Sequence, residues 1–205
     1  MANVDQPMGL KPIRHRNGAP YTGSGNPYIV LVGDTDAMYV GDCVVRAGSA
    51  NAAQVRTPDG IFETGTLPSL NRATVGDGNA ITGVVTSFGP DPDALGKGYR
   101  VARTQRLVYV CDDPDVIFEI QADGAIPAAS VGLNAVLIDD ASGSTVTNRS
   151  GTELDTSSDA PAADASNQLT ILRAINREGE DTTLTNANVE VRINNHTEAS
   201  GVVGI

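Results

Sequence analysis

Tryptophan is absent from this chain of 205 residues, and aromatic side chains of all kinds (five Tyr, three Phe) make up only 4% of it. Sugar-binding platforms stack ligands on exposed rings, so this stock argues against a glycan-binding module. Histidine occurs twice, as His15 and His196, and cysteine twice, as Cys43 and Cys111. A zinc site would need more Cys and His ligands at tighter spacing. The two cysteines lie far apart with no CxxC motif, so each is expected as a small buried residue rather than half of a disulfide. No Gly-x-Ser-x-Gly elbow is present, and His15 sits between two arginines, not a setting that organises a base. The glycine-rich pieces at 23–25 and 96–98 lack the Gly-Lys-Ser/Thr context of a phosphate loop.

Long apolar runs are missing too. The longest are four or five residues, far short of a membrane span. No secretory leader is legible in residues 1–10, where a basic start and an apolar stretch would be needed. We expect no enzyme, no cofactor, no metal and no membrane partner.

What the chain has in quantity is glycine, proline and acid. Its 22 Gly and 11 Pro interrupt any long helical window, at roughly 1 and 3 kcal/mol respectively in a helix interior. Short strands joined by turns follow. Strands are expected at 28–32, 37–40, 43–45, 80–88, 100–103, 106–111, 116–121, 134–138, 169–175 and 189–193. The runs 106–111 and 116–121 flank Asp112-Asp113-Pro114-Asp115 and read as the clearest hairpin. That acidic turn could attract a hard cation, but carboxylates around a proline are ordinary turn chemistry, and the EF-hand pattern is absent. Asp34-Thr35-Asp36 likewise follows a strand-ending glycine and reads as a turn. Residues 125–131 could hold one turn of helix. Residues 139–168, with six acids against Arg149 alone, read as a polar surface excursion with a short strand near 150–154. The fold class is therefore all-β, a sandwich or barrel.

The formal net charge is −11, which argues against direct nucleic-acid binding. Residues 1–33 nevertheless carry Lys11, Arg14 and Arg16 against Asp5 alone. Four prolines make residues 1–27 an extended arm before a β domain at 28–205. The expected contact residues are Lys11, Pro12, Arg14, His15, Arg16, Asn17, Pro20 and Tyr21, a strap whose prolines lower the entropy cost of ordering.

The opening MANVDQPMGLKPIRHRNGAPYTG, the central VYVCDDPDVIFEIQ and the ending VEVRINNHTEASGVVGI together resemble capsid decoration, or cement, proteins of tailed bacteriophages. That resemblance implies a jelly-roll-like β body, made in the host cytoplasm. It also implies assembly as a homotrimer, with a homodimer as the alternative. The location implied is the virion exterior, on the major capsid protein lattice, where many copies stabilise the mature head. The alternatives are a minor head, tail or fibre-associated virion protein and, with less support, a glycan-binding module. On this reading a chain lacking residues 1–20 would fold but bind shells weakly.

Overall fold

A computed structural model describes residues 3–23, 25–58, 60–91, 94–139, 143–199 and 204. The strands are β1 (Lys11–His15), β2 (Asn26–Val30), β3 (Cys43–Ala50), β4 (Val55–Thr57), β5 (Gly60–Phe62), β6 (Pro68–Arg72) and β7 (Gly83–Phe88). They continue as β8 (Arg106–Cys111), β9 (Val116–Gln121), β10 (Asn134–Ala135), β11 (Leu137–Ile138), β12 (Glu153–Leu154), β13 (Leu169–Ala174) and β14 (Asn188–Ile193). One 3₁₀ turn, Ala128–Ser130, follows Pro127. The chain is all-β, and no described helix is long and apolar enough to cross a membrane.

Two sheets carry the architecture. Strands β2, β6, β3, β7 and β8 close a barrel, with β2 and β6 running parallel at Ile29↔Ser69 and Val30↔Leu70. An open antiparallel sheet runs β1-β9-β14-β13-β10. Tyr28, Val30, Val44, Leu70, Val85, Val108 and Val110 fill the barrel. Their sequence neighbours Cys43, Val84 and Cys111 point the other way, into a second core shared with Val116, Phe118, Ile120, Leu169, Ile171, Val189 and Val191 of the open sheet. Ile29 and Leu107 pack on a third side with Leu67, under Val55 and Phe62 of the β4–β5 hairpin. Barrel strands thus bury both faces, which is why residues 107–111 read as a continuous apolar run rather than an alternating one.

Several expectations change. Strands β8 and β9 do not form a hairpin: β8 pairs with β2 and β7, whereas β9 pairs with β1 and β14. The acidic turn carries the chain from barrel to sheet instead. Asp112 accepts hydrogen bonds from Asn26 Nδ2 (2.8 Å) and the Tyr28 hydroxyl (2.7 Å), and Asp113 accepts one from the Asp115 amide (2.8 Å). Residues 37–40 and 100–103 contribute only isolated bridges, Met38↔Arg100 and Val40↔Arg149. The expected strand 134–138 splits at Val136 between the open sheet and the small β11–β12 pair.

The excursion 139–168 is not confined to the surface, although its residues 140–142 lie outside those described. Ser150, Thr152, Leu154, Asp155 and Asn167 are buried. Gln168 is buried as well, and its side chain donates to the carbonyls of Thr74 and Asn79 while accepting from the Gly76 and Leu137 amides. Polar residues are tolerated inside because their hydrogen bonds are made. Cys43 and Cys111 are free and buried. They face Val84 from strands on either side of β7, about 10 Å apart at ordinary strand spacing, beyond the reach of a disulfide.

The arm lies along its own domain. Residues 11–15 form the edge strand β1, and residues ahead of it cross the barrel rim at Gly9, whose amide neighbour Leu10 donates to Gly41 O (2.9 Å). Both glycines have positive φ (67° and 96°), and a side chain on Gly9 would strike the Gly41 carbonyl.

Candidate binding face on the open sheet

The inner face of the open sheet is apolar, so the alternate residues of each strand face outward. Strand β14 shows it best: Val189, Val191 and Ile193 are buried, while Glu190 and Arg192 are only partly so. Register then fixes the neighbours. Glu190 lies opposite Glu119 of β9, Lys11 opposite Glu119, Arg14 opposite Ile117, Arg173 opposite Glu190, and Thr170 opposite Arg192.

Two carboxylates directly opposite on neighbouring strands repel. Here each is neutralised twice. Glu119 meets Lys11 Nζ (3.6 Å) and Arg177 Nη2 (2.8 Å), and Glu190 meets Arg173 Nε (2.8 Å) and the Arg14 guanidinium. Burial alone would push the Glu190 carboxyl up, but hydrogen bonds from Arg173 and Arg14 outweigh it and hold the group below its ordinary value. The Arg177 guanidinium is pushed up by its hydrogen bond to Glu119, and that of Arg173 by its bond to Glu190.

Two further arginines extend the patch. Arg16 and Arg192 border a cavity of about 570 Å³ whose walls include Ile117, Val131 and Leu172, with Asp115 and Thr170 at its margin. Neither guanidinium forms an ion pair with a described carboxylate. Burial pushes Arg192 down, the Arg16 charge adds to that, and Asp115 opposes it in part. Lys11, Arg14, Arg16, Arg173, Arg177 and Arg192 thus gather against Glu119, Glu190, Asp115 and Glu180. That is a local excess of cations in a chain of net charge −11.

The eight residues expected to form a strap divide. Lys11, Arg14 and Arg16 join the cationic face. His15 Nδ1 lies 3.3 Å from Asp113, and its ring centroid 5.9 Å from that of Tyr21. Pro12 sits in β1 beside a bulge, and Pro20 bridges back to Arg14. Asn17 Oδ1 accepts from the Ala19 amide (3.0 Å), shaping the turn. The half-buried Tyr21 hydroxyl is pushed up first by burial and then by its contact with Cys111. Sequence reasoning missed Arg173, Arg177 and Arg192. The Val-Glu-Val-Arg-Ile alternation marked Arg192 as outward-facing, but nothing in the chain order announced that its strand would lie two places from the arm.

Elsewhere, the buried carboxylate at Asp42 is closed off by its own partners. Asp42 is buried, with Oδ2 taken by the Tyr39 amide (2.7 Å) and Oδ1 by the Ser150 hydroxyl (2.5 Å) and Arg72 (3.4 Å). Burial pushes its carboxyl up, and Arg72, the Ser150 hydroxyl and the Tyr39 amide pull against that. Arg72 also grips Asp139 at 2.7 Å, fastening the start of the excursion to the barrel. Among the described residues no group of three or more His, Cys, Asp or Glu converges as a metal site. Compared with family models, curated proteins and solved structures, the chain matches none.

Proposed function

We propose that this chain is a virion structural protein, a capsid decoration (cement) protein of a tailed bacteriophage, and not an enzyme. It docks on the outer surface of the major capsid protein lattice through the cationic face of its open sheet and so stabilises the mature head. Its self-association as a homotrimer, or alternatively a homodimer, belongs to the same reading. One observation carries the docking mode: an acidic body places a cluster of arginines on one sheet face. Such a charge split orients approach to an acidic surface while net repulsion keeps the free protein dispersed. The resemblance of both termini and of residues 108–121 to cement proteins supplies the partner.

Deletion of residues 1–20 is a poor test, because it strips β1 from β9 and uncovers the edge of the sheet. Charge reversal of exposed cations keeps β1 on its edge, and because Arg173 also bonds Glu190 the variant's fold is checked first by circular dichroism. The variant Arg16→Glu/Arg173→Glu, mixed with mature shells and pelleted, should retain less than about a tenth of wild-type binding, given 1–2 kcal/mol or more for the two lost contacts. Wild-type binding should weaken as salt is raised. Full-strength binding by the folded variant would overturn the proposal.

A further inference from the structure

The cationic face contains a groove that selects more than charge. Of the cations on that face, Arg14, Arg173, Arg177 and Lys11 are already matched to Glu119 and Glu190. Arg16 and Arg192 are not, and they flank a cavity of about 570 Å³ with apolar walls at Ile117, Val131 and Leu172. Val131 is 41% exposed there, a branched apolar side chain left open to solvent. Gly204 also lines it, close against Leu133 and Asn134.

We propose that this groove grips a short acidic peptide segment of the docking partner, seating one apolar side chain on its floor and a neighbouring carboxylate between Arg16 and Arg192. The inference rests on the open sheet being the contact face and names what that face holds. The volume falls within the roughly 300–1,000 Å³ of ordinary ligand pockets. Guanidinium pairs receive a carboxylate in forked geometry. Burial and the Arg16 charge both oppose the ionised form of Arg192, Asp115 offsets them only in part, and an incoming anion would add to that offset. A polyanion such as nucleic acid fits less well. Glu119 and Glu190 interrupt the face, Asp115 stands at the groove margin, and the body as a whole is acidic. A peptide carrying one or two carboxylates meets only the Asp115 part of that repulsion, with two guanidinium groups against it.

The test uses the full ¹⁵N-labelled chain and a capped pentapeptide, Ala-Leu-Asp-Leu-Ala, with its Asn-for-Asp twin as control. Titration should shift the amides of Ile117, Val131, Thr170 and Leu172, with the Asn peptide about ten-fold weaker, the size of one charge-assisted hydrogen bond. The variant Arg192→Gln should lose that preference, and Arg192→Lys should keep part of it. No shift at these amides, or equal binding of the two peptides, would overturn the inference. Pelleting with shells separates it from the docking proposal. Shell binding that depends on Arg173 with no peptide binding sinks the groove alone. Peptide binding by a chain that ignores shells upholds the groove and sinks the docking.

Discussion

Replacing Arg100 by methionine should cost this protein about 3–5 kcal/mol, the range for removing one partner of a buried ion pair. Arg100 is fully buried, and its guanidinium meets the Asp34 carboxylate at 2.8 Å. It also donates to the carbonyls of Thr104 (2.7 Å), Asp36 (2.5 Å), Leu31 (3.0 Å) and Asp34 (2.9 Å). Methionine fills comparable volume, so the loss is one of charge and hydrogen bonds rather than of packing. It strands the Asp34 carboxylate on the two amides of Asp36 and Arg72, and leaves the carbonyls without their donor. For a domain of this size the shift in Tm is about 6–20 °C, at roughly 2–4 °C per kcal/mol. Urea titration followed by far-ultraviolet circular dichroism measures it, and tyrosine emission serves as a second probe in a chain without tryptophan. The double variant Arg100→Met/Asp34→Asn should recover part of the loss, because the stranded charge is gone. A cost below about 1 kcal/mol for Arg100→Met, or a double variant less stable than the single one, would refute this account of the loop and barrel junction.

Acid should expose His196. Burial pushes its imidazole below the ordinary value of 6.5, so the unfolded chain takes up a proton before the folded one does. The stability this group preserves is present above pH 6.5 and drains away as pH falls through the lower, folded value. The wild type should therefore lose more stability between pH 7 and 5 than His196→Gln, and parallel curves for the two would contradict the assignment. Both thiols should resist a disulfide-exchange reagent at pH 8 in the native protein and react once urea unfolds it. Burial pushes Cys111 up to about 11 and Cys43 higher still, leaving little thiolate in either case. Rapid labelling of a native thiol would show that one is open to solvent.

The apolar runs at 106–111 and 116–121 made two strands legible, yet not their sheets. A carboxylate-rich turn caps its own amides equally well whether the chain doubles back or crosses to a new layer, so composition there cannot distinguish hairpin from crossing. Strands β4, β5 and β6 escaped notice for a different reason. Pro68, Gly60 and the polar residues Ser69, Asn71 and Arg72 look like loop; the closed barrel supplies the partners of β6, while β4 and β5 pair with each other. The excursion misled through its polarity: Ser150, Thr152 and Gln168 are buried because each finds hydrogen-bond partners that local sequence does not reveal. Half of the cationic face was visible in the arm. The other half lay more than 150 residues away and became a neighbour only through the β9–β14 pairing.

The open sheet has two edges, and this chain covers both with its own backbone. Along β1, the His15 amide donates to Ala19 O and the Tyr21 amide to Ile13 O, so the following turn folds back over the edge. Along β10, Asn134 and Ala162 exchange a pair of backbone hydrogen bonds. The barrel, being closed, has no edge at all. Among the described residues, neither of these two sheets therefore offers a free ladder for strand-to-strand fusion, a common route to fibres and aggregates. Copies that met through these two sheets would do so by side chains on their faces, contacts that remain reversible.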